Sequence, residues 1–152
     1  MLPNDYARQV LRQCWNYALP LNPVEIANKL GVQIFSSPDL GELSGYYDEE
    51  KRHIVVNAND GLLRQRFTVA HELGHHVMGH GSSPRDSTQK YSQRHYVPKE
   101  YEANAFAAEL LMPEEAVRTM IEQRGLSFDQ LLGTFLVSPE AMRIRLERLG
   151  YI

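Results

Sequence analysis

Two histidines separated by three residues, with a glutamate directly after the first, are the groups best able to do chemistry in this 152-residue chain: His71-Glu72-Leu73-Gly74-His75, within FTVAHELGHHVMGHG. On a helix each residue advances about 100°, so positions four apart face nearly the same way and both imidazoles reach one point. Neutral imidazoles suit zinc, and a catalytic zinc takes three protein ligands and keeps a fourth position for water. A glutamate beside the first ligand can take a proton from that water, which makes Glu72 a candidate general base rather than a ligand. The stretch holds four of the chain's six histidines. His76 is one step round the helix from His75, and His80, nine positions beyond His71, falls about 180° away, so helical phase gives both of them structural roles outside the site.

A third ligand is needed. The metzincin pattern would put a glycine and a histidine where this chain has Met78 and Gly81. The alternative is a carboxylate from a following helix, as in His₂Glu zinc sites. The segment VPKEYEANAFAAELLMP offers Glu100, Glu102 and Glu109. Its alanines at 103, 105, 107 and 108 let it lie close against another helix, and Ala70 and Gly74 give the histidine helix a small-residue face to receive it. Glu109, two turns beyond Glu102, is a candidate for orienting a ligand imidazole from outside the ligand set.

The elements that must position these residues follow from periodicity and punctuation. Val10, Leu11, Cys14, Trp15 and Ala18 recur at helical spacing from Asp5 to Tyr17, and Pro20 follows as a stop. Asn22-Pro23 opens a second helix, with Asn22 as cap, that runs to Gly31. Val32 to Phe35, Ser44 to Tyr47 and His53 to Val56 are β-prone runs between turn-forming segments. They predict a small, mostly antiparallel sheet with Asp48-Glu49-Glu50-Lys51-Arg52 as a solvated hairpin tip. A long central helix from Leu62 to about Met78 carries the histidines and ends in glycines. Gly81 to Val97 is polar and aperiodic and reads as a long surface loop. Helices over Lys99 to Leu111, Glu114 to Gln123, Ser127 to Phe135 with a Ser127/Gln130 capping box, and Pro139 to Leu149 capped by Ser138 complete the chain. The expected fold is a mostly helical α+β single domain over residues 1–152, with a small three-stranded sheet and a zincin-like active-site helix packed on a second, glutamate-bearing helix.

Composition narrows the function. The chain is 43% hydrophobic, has a net charge of −3 and contains one cysteine, Cys14, so neither an internal disulfide nor a cysteine metal cluster is expected. No apolar run approaches the ~20 residues of a membrane span and the N-terminus lacks signal-peptide order, which together predict a cytosolic protein. Direct nucleic-acid binding is disfavoured by the charge. Two stretches still imitate helix-turn-helix grammar, VEIANKLGV and DQLLGTFLVSPEAMRIRLERLG. The second carries Arg143, Arg145 and Arg148, but from Arg118 to Arg148 five arginines face four acids, a small surplus. Leu131, Leu132, Phe135, Met142, Ile144, Leu146 and Leu149 there read as core.

Taken together, RQRFTVAHELGHH, a loop and YEANAFAAELLMP resemble the ImmA/IrrE family of zinc metallopeptidases. The likeness extends from PVEIANKLGV through SGYY and IVVNAND to the FLVSPEAMRIRLERLG tail. It implies zinc, or another divalent ion, held by His71, His75 and Glu102, with Glu72 as the base. It also implies a protein substrate, a helix-turn-helix repressor, cut at a specific site. A DNA-binding regulator and a non-cleaving metal-binding adaptor are the competing readings. For the oxyanion, His95, Tyr96, Tyr46 and Tyr47 are candidate donors, and the strand His53 to Asn57 is a candidate to pair with an extended substrate.

Overall fold

The computed structural model describes residues 1–85 and 98–152, the side chains of 83–85 excepted. Helix α1 (Pro3–Cys14) starts on a proline, which the first helical turn tolerates because no partner is required for its missing N–H. Helix α2 (Pro23–Lys29) is capped as its sequence predicts, with Asn22 Oδ1 accepting from the backbone N–H groups of Val24 and Glu25. Strands β1 (Gln33–Ser37), β2 (Gly45–Asp48) and β3 (His53–Asn57) follow, then helix α3 (Leu62–Val77). A short strand β4 (Ser83–Arg85) precedes helix α4 (Pro98–Leu111). Helix α5 (Glu114–Arg118) runs into a π-helical turn, Thr119–Gln123. Helix α6 (Phe128–Phe135) carries the Ser127/Gln130 capping box, and α7 (Pro139–Arg148) is capped by Ser138.

The sheet has the order β1-β3-β2-β4. β2 pairs antiparallel with both β3 and β4, whereas β1 pairs parallel to β3 with Gln33 opposite His53. The fourth strand arises in the polar stretch read as loop. Its residues, Ser-Pro-Arg, have no β-propensity pattern, so the strand exists because β2 offers it a free edge. β3 is enclosed on both sides by β1 and β2, which removes His53 to Asn57 as a strand that could pair with a substrate. The acidic-basic segment between β2 and β3 is an exposed turn, as its composition predicts.

Helix α3 lies between the sheet and α4, and α1 packs on α4. Leu73, Ile54, Phe106, Leu110, Phe135 and Met142 are fully buried, and Cys14 is a buried core residue. The small-residue face works as its composition suggests: Ala70, Ala103 and Ala107 are fully buried. A Cβ on Gly74 would lie 3.0–3.2 Å from three atoms of the Phe106 side chain. Gly74→Ala should therefore lose about 1 kcal/mol net, because overpacking of roughly 1–3 kcal/mol outweighs the ~1 kcal/mol gain in helix propensity. Gly133→Ala in α6, where a Cβ meets nothing within 4 Å, should gain stability. Urea midpoints compare the two, and a stabilised Gly74→Ala would show that Phe106 yields at no cost.

Two features of the α5 to α7 region settle smaller questions. Glu109 is buried and accepts from Arg145 Nη2 at 2.7 Å and from the Glu114 backbone N–H at 3.0 Å, so it ties α4 to α5 and α7 and does not orient a ligand. Arg145 is itself buried and also donates to the Met112 carbonyl. It is part of the interior rather than an arginine offered to a partner. The tail's apolar residues are core as expected, with Ile144 the exception at 41% exposed. Among the described residues no helix is long and apolar enough to cross a membrane.

Candidate metal centre

His71 and His75 sit one turn apart on the face of α3 that meets α4, and both are buried, as is Glu72 between them. Their Nε2 atoms are 3.3 Å apart. One ligand atom from each of His71, Glu72 and His75 falls within 4.8 Å of the others. From α4, the carboxylate of Glu100 closes the set, with Oε2 at 2.7 Å from His71 Nε2 and Oε1 at 3.0 Å from His75 Nε2.

The carboxylate that the structure brings to His71 and His75 is thus Glu100, whereas the resemblance implies Glu102. Two residues apart on a helix means about 200° of rotation, so only one of the pair can face α3. The buried face of α4 runs through Ala103, Phe106, Ala107 and Leu110, and Glu100, one turn before Ala103, lies on its edge. Glu102 is on the other side, 42% exposed, with Oε1 at 3.3 Å from His80 Nε2. The phase of the alanines was the available signal for Glu100.

The outer contacts fix the rings. Asn104, one turn after Glu100, places Oδ1 at 2.8 Å from His71 Nδ1. An amide oxygen only accepts, so His71 carries its proton on Nδ1 and presents an Nε2 lone pair inward. An imidazole lone pair facing a carboxylate oxygen brings electron-rich atoms together, an arrangement that a cation relieves. Ligands about 2.0–2.1 Å from a tetrahedral zinc lie roughly 3.3 Å from each other, which is the Nε2 to Nε2 separation here. The donor set of two imidazoles and a carboxylate therefore fits a divalent ion.

Burial opposes ionisation of Glu100, but with both imidazoles protonated their hydrogen bonds and charge hold its carboxyl far below the usual carboxylate range, and a cation would take the place of those Nε2 protons. A carboxylate that stays ionised in a buried setting is what a metal ligand requires.

The remaining histidines behave less simply than helical phase suggests. Helix α3 ends at Val77, and Gly79 turns the chain with φ of 70°. The His80 N–H donates to the His75 carbonyl and the Gly79 N–H to the His76 carbonyl, the paired bonds of a Schellman motif. His80 is thereby folded back over His75, with the two Nδ1 atoms 3.0 Å apart. Counting 100° per residue past the glycine placed it on the wrong side. Burial lowers the His80 pKa, the His75 and Lys99 charges act in the same sense, and Glu102 and Glu100 oppose them. His76 meets the Tyr47 hydroxyl at 2.6 Å, and burial, with Arg52, lowers its pKa against the pull of Glu49.

Tyr47 is buried in that contact, and Tyr46, its neighbour on β2, points to the sheet face away from α3. The structure brings neither to the Glu100 carboxylate as an oxyanion donor. His95 and Tyr96 lie outside the described residues. A cavity of about 550 Å³, lined by Phe35, Leu62, Arg66 and Leu136 among others, lies along β1 and the N-terminal half of α3, away from the histidines.

A buried His-Glu-x-x-His helix that receives a carboxylate from a neighbouring helix is the donor arrangement of metal-dependent peptidases. The profile of the Peptidase M78 family, the IrrE N-terminal-like domain, matches residues 27–147, and the chain belongs to this family of metallopeptidases. It is 36% identical over 101 residues to "Uncharacterized immunity region protein 2" of Bacillus phage phi105, covering 63% of this chain and 61% of that one. It is 36% identical over 97 residues to the "Radiation response metalloprotease IrrE" of Deinococcus radiodurans, covering 62% and 29%. With "Metallopeptidase ImmA" of Bacillus subtilis it shares 27% over 135 residues, covering 85% and 77%. The matched regions thus span less than two thirds of the first two relatives' length. In fold, the chain is similar to a Mycobacterium tuberculosis transcriptional regulator, with a TM-score of 0.70 at 16% identity over 95% of this chain and 46% of that one.

Proposed function

We propose that this chain is a zinc-dependent endopeptidase that cuts a helix-turn-helix repressor at a specific site in the cytoplasm, with His71, His75 and Glu100 as metal ligands and Glu72 as general base. The observation that carries this reading is the Glu100 carboxylate lying within 3.0 Å of both His71 and His75. Zinc is favoured by the two imidazoles and one carboxylate, a donor set that also accepts other divalent ions. Both the repressor as substrate class and the cytoplasm rest on the resemblance to the ImmA/IrrE family.

A divalent ion at this position supplies Lewis acidity that polarises a scissile carbonyl and acidifies water. His71 and His75 aim their Nε2 atoms at it, held by Asn104 and His80 on the opposite ring nitrogens. Glu100 contributes the negative charge. Glu72, buried beside the first histidine, accepts the proton of the attacking water on its carboxylate and delivers it to the departing amine. His71, Glu72 and His75 are buried and the Glu100 side chain is 14% exposed, which limits competition from bulk water at the ligand atoms.

The test is incubation of the zinc-loaded protein with candidate repressors from its own genomic neighbourhood, read by mass spectrometry of the fragments. One cut per repressor, lost on chelation and restored by zinc, is the expected result. Cleavage that persists under chelation would overturn the metal mechanism, and salt-sensitive, metal-independent binding to duplex DNA would favour a regulator instead.

A further inference from the structure

We propose that His80 is a positioning residue for the metal, which with Glu102 behind it sets the tautomer and ring direction of His75. The inference rests on the reading of His71, His75 and Glu100 as ligands, and adds two residues that do not touch the ion. For His75 to present the Nε2 lone pair towards Glu100 and His71, its proton must sit on Nδ1. That Nδ1 faces His80 Nδ1 at 3.0 Å, so His80 must accept there and carry its own proton on Nε2. His80 Nε2 in turn faces Glu102 Oε1 at 3.3 Å, a charge contact that favours the proton on that nitrogen. From His75 to His80 to Glu102 the N–H groups thus point one way, outward, and leave the His75 Nε2 lone pair facing in. Asn104 does the same for His71 in a single step.

The backbone supports the assignment. Main-chain bonds across Gly79 hold His80 over His75, its rings 5.2 Å apart centroid to centroid, and Lys99 Nζ donates to the His80 carbonyl at 3.3 Å. His80 is 10% exposed at its side chain, while Glu102 is 42% exposed, so water can partly replace the second link and not the first.

Zinc affinity of the full chain, measured by competition with a chromophoric chelator, tests this. His80→Ala should weaken zinc about 10–100-fold, as loss of an outer hydrogen-bond partner does, and Glu102→Gln should weaken it less. His80→Gln, whose side-chain oxygen can accept from His75 Nδ1, should recover part of the loss. The double variant His80→Ala/Glu102→Gln should bind no more weakly than His80→Ala alone, because Glu102 acts through His80. Wild-type affinity in both folded His80 variants would overturn the proposal, as would additive losses in the double variant. His71→Ala separates the two readings. If it loses zinc while His80→Ala does not, only the positioning role fails; if it binds zinc like wild type, the ligand reading itself fails.

Discussion

Glu72→Gln is expected to keep zinc bound and to cut turnover by about 10²–10⁴-fold, the range general-base catalysis contributes. The substitution is nearly isosteric, so the packing of α3 against α4 should survive in a site where Glu72 is fully buried. What it removes is an ionised oxygen able to take a proton. A neutral amide in the same place can still accept a hydrogen bond from water but cannot hold its proton. Metal content, thermal stability and single-turnover cleavage of an identified substrate together isolate the effect. If Glu72→Gln cleaves at the wild-type rate, another group is the base. If it loses zinc, Glu72 belongs to the ligand set, a role its carboxylate is near enough to take, since its ligand atom falls within 4.8 Å of those of both histidines.

Glu100→Ala is expected to release the metal, with an affinity loss exceeding the ~100-fold upper range of outer-shell changes, while Glu102→Ala loses at most about 10-fold. Both carboxylates stand on one helix, two residues apart, and both contact a histidine, so a ligand role could be argued for either on sequence. The contacts differ in kind. Glu100 bridges the Nε2 atoms of His71 and His75 at 2.7 and 3.0 Å, whereas Glu102 reaches only His80, at 3.3 Å. Metal analysis after dialysis, on both variants in parallel, decides between them. Full zinc in Glu100→Ala together with an emptied Glu102→Ala would restore Glu102 as the ligand.

That Glu100 rather than Glu102 faces the two histidines shows which physical information the chain carries openly. Helices α2, α6 and α7 were legible because Asn22, Ser127 and Ser138 cap them through local hydrogen bonds, and local chemistry is written in adjacent residues. His71, Glu72 and His75 were legible for the same reason, since four-residue spacing fixes their common direction without any other element. Glu100 required a comparison of two phases, that of the glutamates and that of the alanine face, across a segment whose docking partner is elsewhere in the chain. The 100° count misplaces His80 because it carries helical phase beyond the helix end and through Gly79, where a left-handed residue reverses the chain. β4 and the parallel pairing of β1 with β3 are long-range outcomes. Three consecutive β-prone runs suggest neighbours in chain order, yet β3 takes the central place between β1 and β2, a choice made by the packing of the sheet against α3 and invisible to strand propensity.

The reversal at Gly79 carries a consequence for how this site can drift. Any residue with a Cβ is strained there by about 1–2 kcal/mol, and relief of that strain would unwind the turn that seats His80. Gly79→Ala, which alters no ligand and meets no neighbouring atom within 4 Å, should therefore loosen the protein's hold on zinc as well as its fold, measurable by the same chelator competition. Retention of metal is thus open to adjustment from the main chain, through a position at which no side chain exists to be recognised as functional.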